Sequence, residues 1–333
     1  MKRPFFSAVI DNYNYGRFIA QAIDSILAQD FPAGEVEVVV VDDGSTDDSR
    51  EVVGRYKDKV RLIPQANQGQ AAAMNTGLLA AQGEVSCLMD SDDYWHPEKL
   101  KEVAKALEDP EVGIVQHYQR DVDAVGRELH NQLPDWPPRF GFKDFLVERF
   151  DYGATSSLAL RRTVLQKILP MPKDIFYFTD VYLVDFGLLH ADMANVRRVL
   201  GYHRIHGANN WAQTYVNPKK LEGSLLEARA YRGYLEPKLK ERGLPFTHHC
   251  FALQELEILR REILLEMYSG DRPAAFRAWR RMLKEGGSSP FGLFRSVTCL
   301  LALVSPGLYL KVYDFYGSSG WLGRMRARVM PRN

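Results

Sequence analysis

Cysteine is nearly missing from this sequence: Cys87, Cys250 and Cys299 are the only three in 333 residues. Their odd number and wide spacing give neither a disulfide framework nor a cysteine-based metal spacing, and they suit a reducing cytoplasm. Cys87 lies in an apolar run and is most simply a small buried side chain. Net charge is lacking as well. The 43 basic and 42 acidic residues leave +1, so no bulk electrostatic attraction draws the chain toward nucleic acid. No clean apolar run reaches the ~20 residues that a membrane-spanning helix needs; residues 297–304 stop at Ser305-Pro306-Gly307. Asp11 interrupts the first apolar segment, so no signal-peptide core is expected there. Internal repeats and low-complexity segments are absent too. What remains, 46% hydrophobic and 26% charged, is ordinary for a soluble globular protein. The length suffices for a large core plus an appended region.

The first half of the chain alternates. Strands are expected near 5–10, 36–42, 60–64, 84–89 and 112–117, with helices near 17–29, 47–57, 70–81 and 97–108. That rhythm predicts an α/β fold, Rossmann-like, with a mostly parallel sheet and helices on both faces. Pro134, Pro137, Pro138 and Gly141 mark a loop over 134–142. A strand near 154–160, a helix near 179–191 and a strand near 195–204 complete a catalytic domain over 1–212, whose donor and acceptor halves part near residue 120. Residues 213–333 read as a helical C-terminal region, with helices near 218–242, 247–269 and 272–285 and a final apolar piece.

Asp90-Ser91-Asp92-Asp93 follows the apolar run Val85-Ser86-Cys87-Leu88-Met89. Three carboxylates at the end of a buried strand are costly unless something neutralises them. Residues two apart in an extended chain point the same way, so Asp90 and Asp92 are expected to face one site, with Asp93 on its other wall. Hard oxygen ligands this close suit Mg²⁺ or Mn²⁺, especially where diphosphate oxygens complete the shell. A helix N-terminus after His96-Pro97 would account for one acid, not three. Upstream, Val38-Val39-Val40-Val41 reads as a strand buried on both faces and ends in Asp42-Asp43-Gly44-Ser45-Thr46-Asp47. There Gly44 permits a tight turn, and Ser45 or Thr46 can cap the next helix. The first strand ends in Asp11-Asn12-Tyr13-Asn14. Three successive strands thus deliver polar or acidic residues at their carboxyl ends, the edge where open α/β sheets bind ligands.

Taken in order, these residues resemble family 2 of the glycosyltransferases, with its GT-A fold. The matching segments are Tyr13-Asn14, Ala22-Ile23-Asp24-Ser25-Ile26-Leu27-Ala28-Gln29, Val41-Asp42-Asp43-Gly44-Ser45-Thr46-Asp47, Asn67-Gln68-Gly69-Gln70 through Asn75-Thr76-Gly77, and Asp90-Ser91-Asp92-Asp93-Tyr94-Trp95-His96-Pro97. The resemblance is strong over residues 5 to about 120, thinner to about 210, and says little of function beyond. It implies inverting transfer of a sugar from a nucleotide-diphosphate donor to a hydroxyl of a saccharide or lipid-linked acceptor. Mn²⁺ or Mg²⁺ is the implied cofactor, and the purpose is polysaccharide or glycoconjugate synthesis.

Residue roles follow from the same resemblance. Tyr13 stands where the family stacks an aromatic ring on the nucleobase. Asp43 matches the acid that accepts hydrogen bonds from the base in uridine-diphosphate-using relatives, which favours a UDP-sugar; Asp42 is the one expected to hold the turn. Asn67, Gly69 and Asn75 fall in a stretch whose small residues let a helix start approach diphosphate, or alternatively pack tightly on the sheet. Met74 departs from the basic residue that many relatives carry there. Asp90 and Asp92 are assigned to the nucleotide-sugar, and Asp92 and Asp93 to the metal. Asp180, after Thr179 at a position where Glu is common, is the expected base, with Thr179 able to cap its helix; Asp185 is the fallback. The segment Tyr202-His203-Arg204-Ile205-His206 through Trp211 resembles the family's Arg-x-His closure. Arg204 is assigned to diphosphate charge and His206 to the metal, while His203 reads as structural.

The tail invites a further expectation. Residues 291–316 are largely apolar and aromatic, and Arg324, Arg326, Arg328 and Arg332 follow with no acid among them. Peripheral membrane contact through 291–332, at the inner face of the plasma membrane, is one reading; a helix docked on the catalytic domain or on a second subunit is the other. Two rival functions fit the residues less well. A nucleotidyltransferase would carry a Gly-rich basic loop where this chain has Asp11-Asn12-Tyr13. An inactive sugar-nucleotide-binding scaffold rests only on Thr179 and Met74.

Overall fold

The computed structural model describes residues 5–131, 133–146, 153–176, 178–207, 209, 217–243, 249–286 and 290–318. The chain divides into two units, Met1–His206 and Gly207–Asn333. In the first, strands β1 (Phe6–Asn12), β2 (Val36–Asp42), β3 (Val60–Pro64), β4 (Val85–Asp90), β5 (Tyr94–Trp95), β6 (Val112–Val122), β7 (Arg139–Phe140), β8 (Ala159–Arg161) and β9 (Asp192–Arg204) form one sheet. Helices α1 (Gly16–Leu27), α2 (Ser49–Gly54), α3 (Gln70–Ala80), α4 (Lys99–Ala106), α5 (Phe142–Leu146), α6 (Arg162–Ile168) and α7 (Thr179–Leu188) connect them.

The strand order is β3-β2-β1-β4-β8-β6-β9-β5, with β7 also on β9. Strands β1 to β4 pair in parallel, as do β6 and β9. Strand β8 runs antiparallel to both β4 and β6 and joins the two parallel sets. The chain moves outward from β1 to β2 and β3, then returns to place β4 on the other side of β1. The carboxyl ends of β1 and β4 therefore flank a topological switch point, the crevice where open α/β sheets bind ligands.

The core explains the strand positions. Phe6, Ala8 and Ile10 of β1 and Val38 and Val40 of β2 are buried with Ile19, Ala22 and Ile23 of α1. Val39 and Val41 face the other side with Ala73 of α3. Each large aliphatic buried this way contributes about 1.5–3 kcal/mol. Helix α3 lies close on the sheet because Gly77 has no side chain: a Cβ there would stand 2.4 Å from Val9 Cγ1.

Two expectations need correction. The strand expected over 154–160 is a 3₁₀ turn, Thr155–Ser157, followed by the three-residue β8. Its serines turn inward, and Ser156 Oγ accepts from the Asp90 N–H at 2.9 Å, a long-range bond that holds this turn against the end of β4. Neither Ser45 nor Thr46 caps α2; its N-cap is Asp48, without a side-chain cap bond. The Ser49 N–H instead meets Asp47 Oδ1 at 3.0 Å.

The second unit is helical in its described residues: α8 (Pro218–Glu241), α9 (His249–Ser269), α10 (Arg272–Gly286), α11 (Pro290–Val304) and α12 (Pro306–Ser318). Asn217 caps α8 by accepting from the Lys219 and Lys220 N–H groups. The final apolar piece is two helices, because Pro306 cannot continue α11 and instead opens α12. Leu221, Leu256, Leu259, Ile263, Met282 and Ala302 build this unit's own core.

Candidate active site

Strand register builds the centre of the site. Asp11 and Asp90 are direct partners across the parallel pair β1–β4, so their side chains leave the sheet on one face. Gln70, in the first turn of α3, donates Nε2 to Asp90 Oδ1 at 2.9 Å. The chain turns after β4, closed by Asp93 N–H to the Asp90 carbonyl at 3.0 Å. Asp92 Oδ2 lies 2.9 Å from His206 Nε2, and Asp93 Oδ1 accepts from the Arg204 N–H at 2.9 Å. Asp93 is buried, and its Oδ2 has no hydrogen-bond partner among the described residues; neither has Asp11 Oδ1.

Carboxylates this close raise one another's pKa. Burial first, then the Asp92 charge, pushes Asp11 up to about 7. Burial and the charges of Asp11, Asp93, Asp92 and Asp180 drive Asp90 well above the usual range. Burial carries Asp93 to about 6, although the nearby His203 opposes it. Burial disfavours the His203 cation, yet the Asp121 hydrogen bond and the charges of Asp93, Asp121 and Asp92 hold it at about 9. Asp11 was not among the expected site residues. Its signal was its place at a strand end, but only the β1–β4 register makes it a neighbour of Asp90.

The flanking cations are arranged around the motif. Arg204 is buried, with Nε on the Asp92 carbonyl, a second nitrogen on the Asp123 and Ala124 carbonyls and a third on Gln21 Oε1. Its guanidinium packs over the rings of Phe18 and Tyr94. These contacts fix the backbone of the acidic motif. Lys99 is fully buried, donates Nζ to the Ser156 carbonyl at 2.8 Å and lies 3.7 Å from the Trp95 ring centroid. His206 is enclosed by Tyr15 and Phe18.

The nucleotide side is laid out beside this cluster. Tyr13 is 45% exposed in the turn after β1. Asn14 takes φ 60 there and its side chain accepts from the Thr46 N–H, tying this turn to the one after β2. Asp42 holds that second turn through Asn12, Ser45 and Arg50. Asp43 is buried and accepts from Gln65 Nε2, Gln68 N–H and Gly69 N–H at 2.7–2.9 Å. Gly69 precedes α3 at φ 88, and Asn67 N lies 2.8 Å from where a Gly44 Cβ would stand. Asn75 sits apart from the acids. Its amide clasps the Met171 backbone in both directions, at 2.9 and 2.8 Å. Met74 is fully buried, so the position that is basic in many relatives lies in the core here.

Asp180 occupies the first turn of α7 and accepts the Val181 N–H at 2.8 Å. Burial raises it to about 6. Phe178, not Thr179, is the N-cap; Thr179 is buried inside the helix. Asp185 is buried on the same helix. Of the segment that follows His206, Ala208 and residues 210–211 lie outside the described residues, as do Arg324, Arg326, Arg328 and Arg332.

The sequence matches the glycosyl transferase family 2 model over residues 7–169. That stretch is a glycosyl transferase family 2 domain. An uncharacterized glycosyltransferase of Nostoc sp. is 35% identical over 213 residues, 61% of this chain and 66% of that one. The poly(ribitol-phosphate) β-N-acetylglucosaminyltransferase TarS of Staphylococcus aureus is 34% identical over 125 residues, 36% of this chain and 22% of TarS. The match thus spans less than two thirds of either relative. A crystal structure of part of TarS with UDP-GlcNAc superposes with a TM-score of 0.54 at 20% identity, covering 80% of this chain and 88% of that one. A mannosyltransferase from Pyrobaculum calidifontis, in complex with GDP-Man and Mn²⁺, gives 0.56 at 21% identity, covering 95% and 88%. At such identity the likeness shows the fold, which is GT-A.

Among the described residues, no three His, Cys, Asp or Glu side chains form a metal shell by themselves. The donor set nonetheless fits a hard divalent ion whose remaining ligands come from a bound diphosphate: Asp93 presents an oxygen without a hydrogen-bond partner beside Asp92. Among the described residues, no helix is long and apolar enough to cross a membrane.

Proposed function

We propose that the chain transfers a sugar from a nucleotide-diphosphate donor, with a UDP-sugar favoured, to a hydroxyl of a saccharide or lipid-linked acceptor. The reaction is a single displacement with inversion, and its products serve polysaccharide or glycoconjugate synthesis. The observation that carries this reading is the convergence of Asp11, Asp90, Asp92 and Asp93 at the switch point between β1 and β4. Residues 1–120 are assigned to the donor and 121–212 to the acceptor, with 213–333 outside the chemistry.

The nucleobase stacks on the exposed face of Tyr13. Asp43 already accepts three hydrogen bonds. A carboxylate offers about four lone-pair sites, which leaves room for one ring N–H. Asn67 and Gly69 shape the loop that Asp43 holds, and Asn75 anchors α3 against the Met171 segment. Asp92 and Asp93, with His206 on Asp92, would hold Mn²⁺ or Mg²⁺, and Arg204 fixes their backbone. That ion, when bound, supplies Lewis-acid neutralisation of the leaving diphosphate. Asp180 takes the proton from the acceptor hydroxyl as its oxygen bonds to the anomeric carbon. The bond from that carbon to the donor oxygen breaks, and the diphosphate leaves with the electron pair. A carboxyl titrating near 6 is ionised at neutral pH yet more basic than an exposed acid.

Isothermal titration of uridine, guanosine and thymidine diphosphates, each with Mn²⁺ and with chelator, tests the donor site on wild type and Asp92→Ala. The expected result is Mn²⁺-dependent binding of uridine diphosphate that the variant loses. Binding that ignores both chelator and substitution would remove the metal role. Tight binding without any sugar transfer would leave the inactive scaffold as the better reading.

A further inference from the structure

Helix α11 shows an apolar row that nothing covers among the described residues. Leu293, Val297, Leu300 and Val304 are 56%, 55%, 41% and 70% exposed. At about 100° per residue they fall within an arc of about 60°. The other side of the helix carries Cys299 and Ala302, both buried. Past the break at Pro306, Leu308 and Lys311 of α12 are also exposed. Single exposed leucines need no account, but an aligned row of this length does.

The neighbouring helix adds aromatic and cationic groups. Gly286 of α10 meets Gly292 of α11, and further along Trp279 Nε1 donates to the Ser296 carbonyl at 2.8 Å. This antiparallel register brings the exposed Leu283 level with Leu293, and the exposed Phe276 level with Leu300. Phe276 stacks on Trp279 with centroids 5.5 Å apart. Arg277, Arg280 and Lys284 are exposed on the same helix. From residue 305 onward the sequence holds Lys311, Arg324, Arg326, Arg328 and Arg332 against the single acid Asp314.

An apolar row rimmed by cations and aromatic rings is complementary to an anionic bilayer surface. Aliphatic side chains enter the acyl boundary, aromatic rings lie at headgroup level, and lysine and arginine meet phosphate. A second copy is the poorer fit, because a two-fold contact would set each cationic rim against itself. We propose that α10, α11 and α12 present a membrane-docking face, with a bilayer containing anionic phospholipid as its partner and Val297, Leu300 and Val304 entering the interface. The inference is independent of the transfer chemistry.

The test is co-sedimentation of the full chain with phosphatidylcholine vesicles, with and without phosphatidylglycerol, alongside light scattering for oligomeric state. Wild type is compared with Val297→Gln/Leu300→Gln/Val304→Gln. The expected result is binding to phosphatidylglycerol vesicles that high salt weakens and the triple variant lowers about tenfold or more. Equal binding by the variant would assign the attraction to the arginines alone and overturn the proposal. So would failure of wild type to bind either vesicle, or a dimer that the variant dissociates without a loss of vesicle binding. Leu293→Gln/Leu308→Gln, which also leaves the core intact, gives the same reading should the triple variant misfold.

Discussion

In the helical unit, Glu255 of α9 meets Arg232 of α8 and Arg281 of α10, and Glu257 meets Arg260, Arg261 and Arg295. Those partly buried carboxylates are matched by cations, three of which come from neighbouring helices. At the carboxyl edge of the sheet, Asp11, Asp90, Asp92 and Asp93 crowd together instead, and burial with mutual repulsion raises the pKa of three of them. Matched pairs join helices and are complete as they stand. A cluster of like charges is held together by the surrounding fold, through Gln70, Ser156 and the Arg204 backbone, and is stabilised further only by a cation or a proton. The contrast separates charge that serves architecture from charge that awaits a ligand.

The largest expected effect breaks the chemistry while leaving both arrangements in place. Asp180→Asn keeps the size of the side chain and removes its basicity, so kcat falls about 10²–10⁴-fold. Nucleotide affinity, measured by titration, stays within about twofold, because the change lies on the acceptor side. Retained turnover would move the base elsewhere, with Asp185→Asn as the next variant to assay.

The same chemical change made in each unit sharpens the comparison directly. Glu257→Gln leaves three guanidinium groups without that counter-charge and destabilises the protein by about 1–3 kcal/mol, a value discounted for the partial exposure of Glu257. Asp93→Asn relieves repulsion in the sheet unit and stabilises the metal-free protein at pH 8 by about 1–3 kcal/mol. It also abolishes Mn²⁺-dependent nucleotide binding. Urea unfolding reads both, and equal signs would end the distinction between the two kinds of charge.

The fold was legible where periodicity and punctuation agreed. Val38 to Val41 marked a strand buried on both faces, and the helices expected from 70 and 218 begin at those positions. The antiparallel β8 was less so, because three residues carry no periodicity and its preceding serines are buried. The acidic motif was readable from its density alone. Asp11 was not, since its membership depends on pairing with a residue 79 positions away. Arg204 shows a subtler limit. The Arg-x-His segment predicted its vicinity, but only the fold shows its guanidinium on the carbonyls of the motif and on Gln21. The clasp of Asn75 on Met171, which spans 96 residues, was not readable either.

A further effect follows from pH. Asp11 near 7, Asp93 near 6 and Asp180 near 6 all lie above the unfolded value of 3.8. Between about pH 4 and 7 the folded state therefore holds more protons than the unfolded one, and stability falls as pH rises. His203, held near 9, acts in the same direction between its unfolded 6.5 and 9. The chelated protein should melt about 10 °C higher at pH 5 than at pH 8, and Mn²⁺ should flatten the difference. A melting temperature that rises with pH across this window would contradict the assignment of uncompensated charge to the sheet edge.

The smallest effect concerns the cation beneath that edge. Burial lowers Lys99 to about 7, opposed by the neighbouring Cys87 and Asp93, and its ammonium also faces His117. That lies below the unfolded 10.5, so the folded state holds fewer protons between 7 and 10.5 and stability rises with pH there. Lys99→Met removes the bond to the Ser156 carbonyl and the contact with Trp95, worth about 1–2 kcal/mol together. It also removes the cost of burying an ammonium, so the variant should unfold within about 1 kcal/mol of wild type at pH 7.5. His203 titrates in both proteins and cancels in the difference. From pH 7.5 to 9.5 wild type should gain about 2 kcal/mol on the variant. A difference independent of pH would show that Lys99 keeps its proton throughout, which would make it a standing counter-charge for Asp93 and narrow the contrast between the two units.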